Sequence, residues 1–572
     1  MNRPWLKNYE PAVPPQVEYP SVPLHQLLTN AAQKFPSQTA LLFYGRATSY
    51  SMLEEETNRF AQALLTLGVR KGDRVAVMLP NVPQCVVAYY GALKIGAVVV
   101  MTNPLYVERE LQIQLADSGA ETIVALDFFY PRIEKIKNET SLKRIILTSV
   151  RDKLPWLLGL LYPIKAKKEG QWLHVDKKPP IYDMMTLIGE ASPAPPNLPA
   201  ISSDDLALLQ YTGGTTGVPK GVMLTHRNLV ANTLQCRHWM PTLREGNEVF
   251  LAVIPFFHVY GMSACMNLAI YLGTTLVLLP RFATKDVLHA IQKTRSTIFM
   301  GVQAMYVAIN NFPKVKRYDL SSIQVCISGA GPLHVEVQRR FESLTGGKLV
   351  EGYGLSEASP VTHANPINGK RKEGSIGLPF PDTEVKIVDI ETGLKELPLG
   401  EIGELAVRGP QVMQGYWKKP QETVEVLRDG WLYTGDMAKM DEEGYFFIVD
   451  RKKEMIKSRG ENVYPREVEE VLFRHPKVKD AVVVGLPDVF AVERIKAYLV
   501  LKEGETATAE EIIDFCSKEL SKFKVPKEVE FRETLPKTII GKVLRRVLVE
   551  EEMKKKEMEK MEMKKEKMKE SK

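Results

Sequence analysis

Between residues 25 and 130, short apolar runs alternate with segments of helical periodicity, and that alternation restricts the chain to few folds. Ser51 with Glu54 three residues on has the pattern of a capping box. Behind it Leu53, Thr57, Phe60, Ala61, Leu64 and Leu65 fall on one helical face, and Gly68 stands where a helix end is capped. VAVML from Val75 predicts a short buried strand, the stretch from Val86 to Lys94 a second helix, and AVVV a further strand. Strand–helix–strand repetition of this kind predicts a parallel, doubly wound sheet. The style returns between 200 and 370, with strands such as IQVCISG and helices such as LHVEVQRRFESL.

Further along, the pattern changes twice. Residues 371–449 are rich in Gly, Pro and short alternating strands (EVKIVD, GELAVRG), which predicts a small antiparallel β unit of barrel-like form. From Arg451 a smaller α+β unit follows: helix PREVEEVLFRH, strands AVVVGL and IKAYLVL, helix AEEIIDFCSKEL, strand EVEFR. The expected organisation is therefore a large N-terminal domain over 1–450, made of α/β subdomains at 24–200 and 201–370 plus the 371–449 β unit. A C-terminal domain at 451–550 and a tail at 551–572 complete it. The tail contains only Glu, Lys, Met and Ser. Its opposite charges could support an exposed helix through i,i+4 pairs, but a frayed, solvated tail is the favoured expectation.

Composition excludes several classes. With 572 residues the chain is long enough for roughly four domain-sized units and needs no covalent staples. The five cysteines are far apart without any CxxC, which argues against a disulfide framework or thiolate zinc site and fits a reducing cytosol. The nine histidines contain no HExxH. Of the net charge of +7, the tail supplies +2 from nine Lys and seven Glu, leaving +5 over 550 residues. That excess is too small to point to nucleic acid and is compatible with small anionic ligands.

The first residues, MNRPWLKNYEPAVPPQ, hold no apolar core of a signal peptide. From Val249 to Pro280 there is no Asp, Glu, Lys or Arg, a length that could span a bilayer. Pro255, His258, Gly261, Asn267 and Gly273 interrupt it, so strand, loop, helix and strand of a buried core are expected instead. LPWLLGLLYPIKAKK at 154–168 is too short to span. Trp156, its apolar neighbours and Lys153, Lys165, Lys167 and Lys168 suit a segment lying in a membrane interface. The alternative is a surface loop that packs its leucines onto its own domain.

The chemistry concentrates in YTGGTTGVPKGVMLTH, from Tyr211 to His226. Gly213, Gly214 and Gly217 permit the backbone conformations that let N–H groups converge on an anion. Thr212, Thr215 and Thr216 add hydroxyls, and Lys220 adds a cation. This is a phosphate grip, but not a Walker A loop: Val218 and Pro219 separate the last glycine from Lys220. Elsewhere GLSEA nearly matches a GxSxG nucleophile elbow, but Ala358 stands in place of the final Gly.

YTGGTTGVPKG resembles the phosphate-loop signature of the adenylate-forming superfamily, which comprises acyl- and aryl-CoA synthetases, luciferases and peptide-synthetase adenylation domains. SGAGPL at Ser328, EGYGLSE at Glu351, YTGD at Tyr433, DRKKEMIKSRGENVYP at Asp450 and PKTIIGK at Pro536 follow in that superfamily's order. The resemblance runs from about Leu24 to Glu550. DGWLYTGD, GYFFIVDRKK and the TNPLY segment at Thr102 look most like bacterial long-chain fatty-acid–CoA ligases.

The resemblance implies ATP, Mg²⁺ and CoA as reaction partners, with Lys542, Glu357 and Thr216 as the catalytic set. Glu357 would hold Mg²⁺ with Thr216 nearby. Thr212, Gly213, Gly214, Thr215, Thr216, Gly217 and Lys220 would grip the phosphates. Gly329, Ala330 and Gly331 together with Glu351, Gly352, Tyr353 and Gly354 would form the adenine pocket, Tyr353 stacking on the base. Asp436 would accept both ribose hydroxyls, with Arg451 as an added donor. Lys542 would be the mobile amine contacting the α-phosphate and the attacking carboxylate oxygen. Rotation about a hinge at Asp450 would then withdraw it and bring Gly460 to the site for thioester formation. His258 would lie beside the acyl carboxylate, and the GVQAMYVAI segment from Gly301 would wall the acyl chain. Two departures from the bacterial pattern bear on CoA: Lys457 to Arg459, and Val492 with Arg494 in FAVERIKA.

The expected activity is thus ATP-dependent ligation of a long-chain fatty acid to CoA through an acyl-adenylate. The expected location is cytoplasmic, at the inner face of the cell membrane if 154–168 touches it, and a homodimer stays open. Alternatives are a ligase for a medium-chain or aryl acid, or a nucleotide- and acyl-binding protein without turnover.

Overall fold

The apolar runs lie in two large mixed sheets of a computed structural model, which describes residues 3–170, 172–192, 198–212, 219–458, 461–488, 492–537 and 543–570. One sheet has eight strands, in the order Gly415–Tyr416, Lys220–Thr225, Leu206–Thr212, Val98–Met101, Arg74–Met78, Thr122–Leu126, Arg144–Thr148 and Ile181–Asp183. Its six strands from Leu206–Thr212 onward are parallel, and the two before them are added through antiparallel pairings. The other has nine, in the order Leu378–Pro379, Val361–Ala364, Lys348–Gly354, Val325–Gly329, Ile298–Val302, Val249–Ala252, Thr275–Leu278, Thr39–Phe43 and Arg46–Ser49. Its central six strands are parallel.

Helices cover both, as parallel sheets require. The helix Tyr50–Thr66 buries Leu53, Thr57, Phe60, Ala61 and Leu64 of the face read from sequence, while Leu65 is only half-buried. Its cap differs from that reading. Ser49, not Ser51, is the N-cap and accepts the Met52 N–H, because Tyr50 is already helical and fully buried. Gly68 follows the C-cap Leu67 with φ of 83°, which a side chain rarely adopts. In Pro83–Lys94 every residue is buried. Even Lys94 is buried, its charge met by Glu54 at 2.6 Å.

The charge-poor stretch after Val249 is core, as expected. It forms the strand Val249–Ala252, a π-helical segment Tyr260–Asn267, the helix Leu268–Tyr271 and the strand Thr275–Leu278. Asn267 within it bonds the Tyr90 hydroxyl at 2.9 Å. Among the described residues no helix is long and apolar enough to cross a membrane.

The chain divides into two compact units. One comprises Met1–Val385, Val407–Leu432 and Glu443–Tyr445, the other Lys386–Ala406, Tyr433–Glu442 and Phe446–Lys572. In the second, Val478–Asp488 pairs antiparallel with Val492–Leu501, and Glu528–Phe531 adds in parallel. Alternate residues of Val478–Asp488 serve two cores. Ala481 and Val483 pack with Val468, Leu472 and Ile512, while Val482 and Val484 pack with Tyr498 and Leu548. Leu548 belongs to a helix over Arg545–Glu570, so the tail expected to be frayed is helical through Glu570. Lys496 bonds Glu530 and Glu552, tying the start of that helix to the sheet.

Candidate active site

Ligands of open α/β sheets bind outside the carboxyl ends of parallel strands. Here those ends carry the sequence-selected residues. Leu206–Thr212 ends at Thr212, Ile298–Val302 holds Gly301, Val325–Gly329 ends at Gly329, and Lys348–Gly354 carries Glu351, Gly352, Tyr353 and Gly354. His258 follows the end of Val249–Ala252.

Thr212 pairs with Lys220 across two antiparallel strands, so the two ends of the Gly/Thr segment face one another. Gly213, Gly214, Thr215, Thr216 and Gly217 between them lie outside the described residues, as do Gly460 and Lys542. Gly221 next to Lys220 is closely packed: a β-carbon there would stand 3.1 Å from the Tyr211 ring and 3.3 Å from Trp417. Tyr211 donates to Asp117 at 2.6 Å, and the indole N–H of Trp417 reaches the Asp117 carbonyl at 3.2 Å. Burial, then the bond to Asp117, push the Tyr211 phenol up, so it remains a neutral donor.

Tyr416 joins the two ends of the site, and sequence reasoning missed it. Its strand, Gly415–Tyr416, pairs with Lys220–Thr225. The Lys220 Nζ stands over its ring at 4.9 Å from the centre, and its hydroxyl donates to the Glu357 Oε1 at 2.8 Å. The Met413 N–H also bonds the Glu357 carbonyl, at 2.9 Å. Burial first and the Glu357 charge second raise the Tyr416 phenol, which holds its proton on the donor side of this bond. Nothing in QGYW marks the tyrosine in sequence, since its role exists only through pairing with a strand nearly 200 residues away.

Glu357 sits half-buried on a short turn, Ser356–Ala358. Among the described residues no three His, Cys, Asp or Glu side chains cluster as a metal cage. A single carboxylate linked through Tyr416 to Lys220 still fits Mg²⁺, which keeps waters and uses substrate phosphates with one or two carboxylates.

The turn after Gly329 is held by Glu351, whose Oε2 accepts the Leu333 N–H at 2.9 Å. This carboxylate is 7% exposed and shapes the turn. Ala330 has φ of 63°, and Ala330 and Gly331 are exposed. A β-carbon on Gly354 would lie 2.1 Å from the Pro360 carbonyl oxygen, and one on Gly352 2.9 Å from Ile327. Tyr353 is half-buried, with its ring edge-on to His363 at 5.8 Å. His258 is half-buried, and its Nδ1 accepts the Tyr260 N–H at 3.3 Å. Gly301 faces Tyr306, whose ring would be 2.8 Å from a β-carbon. Tyr306 and Ile309 are fully buried core residues.

The second unit holds its own set. Asp436 pairs with Arg451 across antiparallel strands, Arg451 Nε to Asp436 Oδ1 at 2.9 Å. Glu404 fixes the preceding turn, accepting from Gly435 N–H at 3.1 Å and Lys452 Nζ at 2.7 Å. Asp450 is buried and accepts the Arg451 and Arg466 N–H groups at 2.7 and 2.8 Å. Burial raises its pKa, opposed chiefly by the Arg545 charge. Arg545, three residues after Lys542, is bound by Glu454 and, at 2.7 Å, by Glu469. Lys457 donates its backbone N–H to Glu493 at 2.6 Å, and Arg494 pairs with Glu528 at 2.7 Å.

Comparison with known proteins follows the same lines. The profile of the AMP-binding enzyme family matches residues 28–417, and that of the AMP-binding enzyme C-terminal domain matches 467–542. A long-chain-fatty-acid–CoA ligase of Bacillus subtilis (strain 168) is 49% identical over 551 residues, covering 96% of this chain and 98% of that protein. One from Yersinia pestis is 40% identical, covering 97% and 99%. Among solved structures, ATP-bound MatB from Rhodopseudomonas palustris superposes with a TM-score of 0.81 at 28% identity, over 92% of this chain and 99% of that one. A Mycobacterium tuberculosis fatty acyl CoA synthetase gives 0.71 at 27% identity, over 92% and 98%. Fold, motif order and nearly full-length similarity together make this chain a member of the AMP-binding enzyme family.

Proposed function

We infer that the chain ligates a long-chain fatty acid to CoA, consuming ATP and releasing AMP and pyrophosphate. The observation that carries this is the Lys220–Tyr416–Glu357 arrangement at the carboxyl ends of the strands, in a chain nearly half identical to a named long-chain ligase.

A carboxylate is a poor acyl donor because oxide would have to leave. In the first step its oxygen attacks the α-phosphorus of ATP, and the bond to pyrophosphate breaks. In the second the CoA sulfur attacks the acyl carbon, loses its proton, and AMP departs with the bonding electrons. The first step brings an anion to a polyanion, so oriented donors and positive charge dominate catalysis. Lys220 and the Thr212 to Gly217 segment take the phosphates. Glu357, with Thr216, would hold Mg²⁺, which supplies charge neutralisation to the leaving pyrophosphate. Gly329 to Gly331 and Gly352 to Gly354 receive adenine on a turn that Glu351 fixes. Asp436 and Arg451 serve the ribose and its phosphate. Lys542 neutralises the α-phosphate and the attacking oxygen, as a compact ammonium on a flexible stem can. Asp450 is the pivot between the two half-reactions, Gly460 serves the second, and His258 attends the acyl carboxylate. The five free cysteines suit a reducing cytosol and long-chain acids partition into bilayers, so we place the enzyme in the cytoplasm beside a membrane surface.

The test is acyl-CoA formation and pyrophosphate release over short-, medium-, long-chain and aromatic acids. Dependence on palmitate is expected. Preference for a medium-chain or aryl acid would reassign the substrate, and release that no acid stimulates would refute the ligase reading.

A further inference from the structure

The helix Trp156–Lys168 connects the last two strands of the eight-stranded sheet, Arg144–Thr148 and Ile181–Asp183. It is built inside out. The only residues it buries are Gly159 and Ala166, seven positions apart and thus on one face. Trp156 is 78% exposed, Ile164 70% and Leu160 60%, and Leu157, Leu158 and Leu161 are exposed beside them. An ordinary surface helix does the reverse, turning its large apolar residues inward. The sequence alternative of a loop that packs its leucines onto its own domain is therefore incorrect.

Charge is arranged at one end. Lys165, Lys167 and Lys168 are exposed in the last turn. Among the described residues, Lys165 alone of the three has an ion-pair partner, Glu169 at 4.0 Å. Lys153, grouped with them from sequence, does not belong, because it is 2% exposed and bound to Glu56 at 2.5 Å. Contiguous exposed apolar side chains of this size mark an interaction surface.

We propose that this helix docks the enzyme flat on an anionic lipid bilayer. Trp156, Leu160 and Ile164 enter the acyl boundary, and Lys165, Lys167 and Lys168 lie among the headgroup phosphates. Charge complementarity selects a bilayer over a second copy of the chain. Anionic headgroups answer the lysines, whereas the same patch on another copy presents the same positive charge. The proposal rests on the long-chain reading, since it places the enzyme where such acids accumulate.

Flotation of the full chain with phosphatidylcholine vesicles, with and without one third phosphatidylglycerol, tests it. The parent should bind the anionic vesicles. A Trp156→Ser/Leu160→Ser/Ile164→Ser variant should bind at least about tenfold more weakly. A Lys165→Glu/Lys167→Glu/Lys168→Glu variant should lose the preference for phosphatidylglycerol. These side chains are exposed, so both variants should keep the parent's thermal midpoint and its turnover of acid supplied in solution. Equal flotation of parent and variants would overturn the proposal. So would concentration-dependent self-association of the parent that the serine variant abolishes while vesicle binding is unchanged. If neither the parent nor the variants turn over any acid but the parent alone floats, docking stands and the ligase reading falls.

Discussion

Tyr416→Phe separates the two jobs of one side chain. The ring stays, so the Lys220 ammonium keeps its place 4.9 Å from the ring centre. The hydroxyl goes, and with it the 2.8 Å bond to the Glu357 Oε1. Hydrogen bonds to charged groups contribute roughly 1.5–3 kcal/mol, and the half-buried setting favours the lower end. A loss of about 1.5 kcal/mol is roughly tenfold in an equilibrium constant. If Tyr416 orients the carboxylate that holds Mg²⁺, the half-saturating Mg²⁺ concentration should rise about tenfold, in line with the effect of removing a group that orients a metal ligand. The assay is palmitate-dependent pyrophosphate release titrated with Mg²⁺ at fixed ATP. Tyr416→Leu should go further, weakening nucleotide binding as well, because the cation–π contact contributes about 0.5–1 kcal/mol. Because burial and the Glu357 charge hold the phenol neutral, the Tyr416→Phe deficit should be constant across neutral pH. A Mg²⁺ titration of Tyr416→Phe that overlies the parent's would refute the reasoning.

Lys542→Ala should lower acid-dependent pyrophosphate release by about 10²–10³-fold, the effect of removing one oriented donor to a developing charge, while equilibrium binding of ATP changes little. Equal losses in both measurements would move Lys542 from catalysis to binding. Gly354→Ala would place a β-carbon 2.1 Å from a backbone oxygen, so the strand end must shift at a cost of about 1–3 kcal/mol, read as slower adenylation and a lower thermal midpoint. An unaffected enzyme would show that the turn after Gly354 is not held as described. His226 is fully buried, and its Nδ1 accepts the Leu24 N–H at 3.0 Å. Burial, with Asp205 opposing and Lys71 adding, lowers its pKa to about 4, below its value when unfolded. Its neutral form therefore stabilises the fold fully above about pH 6.5, and that contribution falls away as pH drops toward 4. In urea unfolding the parent should lose stability between pH 6.5 and 4.5 faster than His226→Gln, and equal slopes would exclude the assignment.

Much of this architecture is written locally. The strands Arg74–Met78 and Val98–Met101 are short apolar runs, and apolar strands flanked by helices have few homes other than a parallel sheet. The Gly/Thr segment stood out as a candidate for the same local reason, since glycines and threonines beside a lysine have few uses in common, and the structure shows its two ends, Thr212 and Lys220, paired. What sequence could not supply is long-range pairing. Tyr416 owes its place to Lys220–Thr225, Asp117 owes its role to Tyr211 and Trp417, and Glu351 turns out to hold the Leu333 N–H. Caps misled by two residues at Ser49 because Ser51 offers a similar hydroxyl inside the first turn. The two serines are 2.9 Å apart through their side chains, so local chemistry alone does not choose between them. Burial of Tyr50 does, and burial is a property of the whole fold.

Two Leu-rich segments make the same point about hydrophobicity. After Val249, thirty-odd residues lack a charge, and they are core. At Trp156–Lys168 the apolar residues are as large, and they face water. Apolar content alone does not distinguish them, because both are rich in Leu and aromatic side chains. What differs is the position of the small and polar residues. In the first, Gly261 lets the backbone close on Ile254 and Pro255, where a β-carbon would stand 2.4 Å from the Pro255 carbonyl oxygen, and Asn267 finds the Tyr90 hydroxyl. Small and polar groups there admit large ones from other elements. In the second, Gly159 and Ala166 form the seated face, so the large residues have no side of the helix left but the outer one. A helix that seats itself by its smallest residues has its apolar surface committed elsewhere, and that assignment requires only the spacing of Gly and Ala against the bulky residues between them.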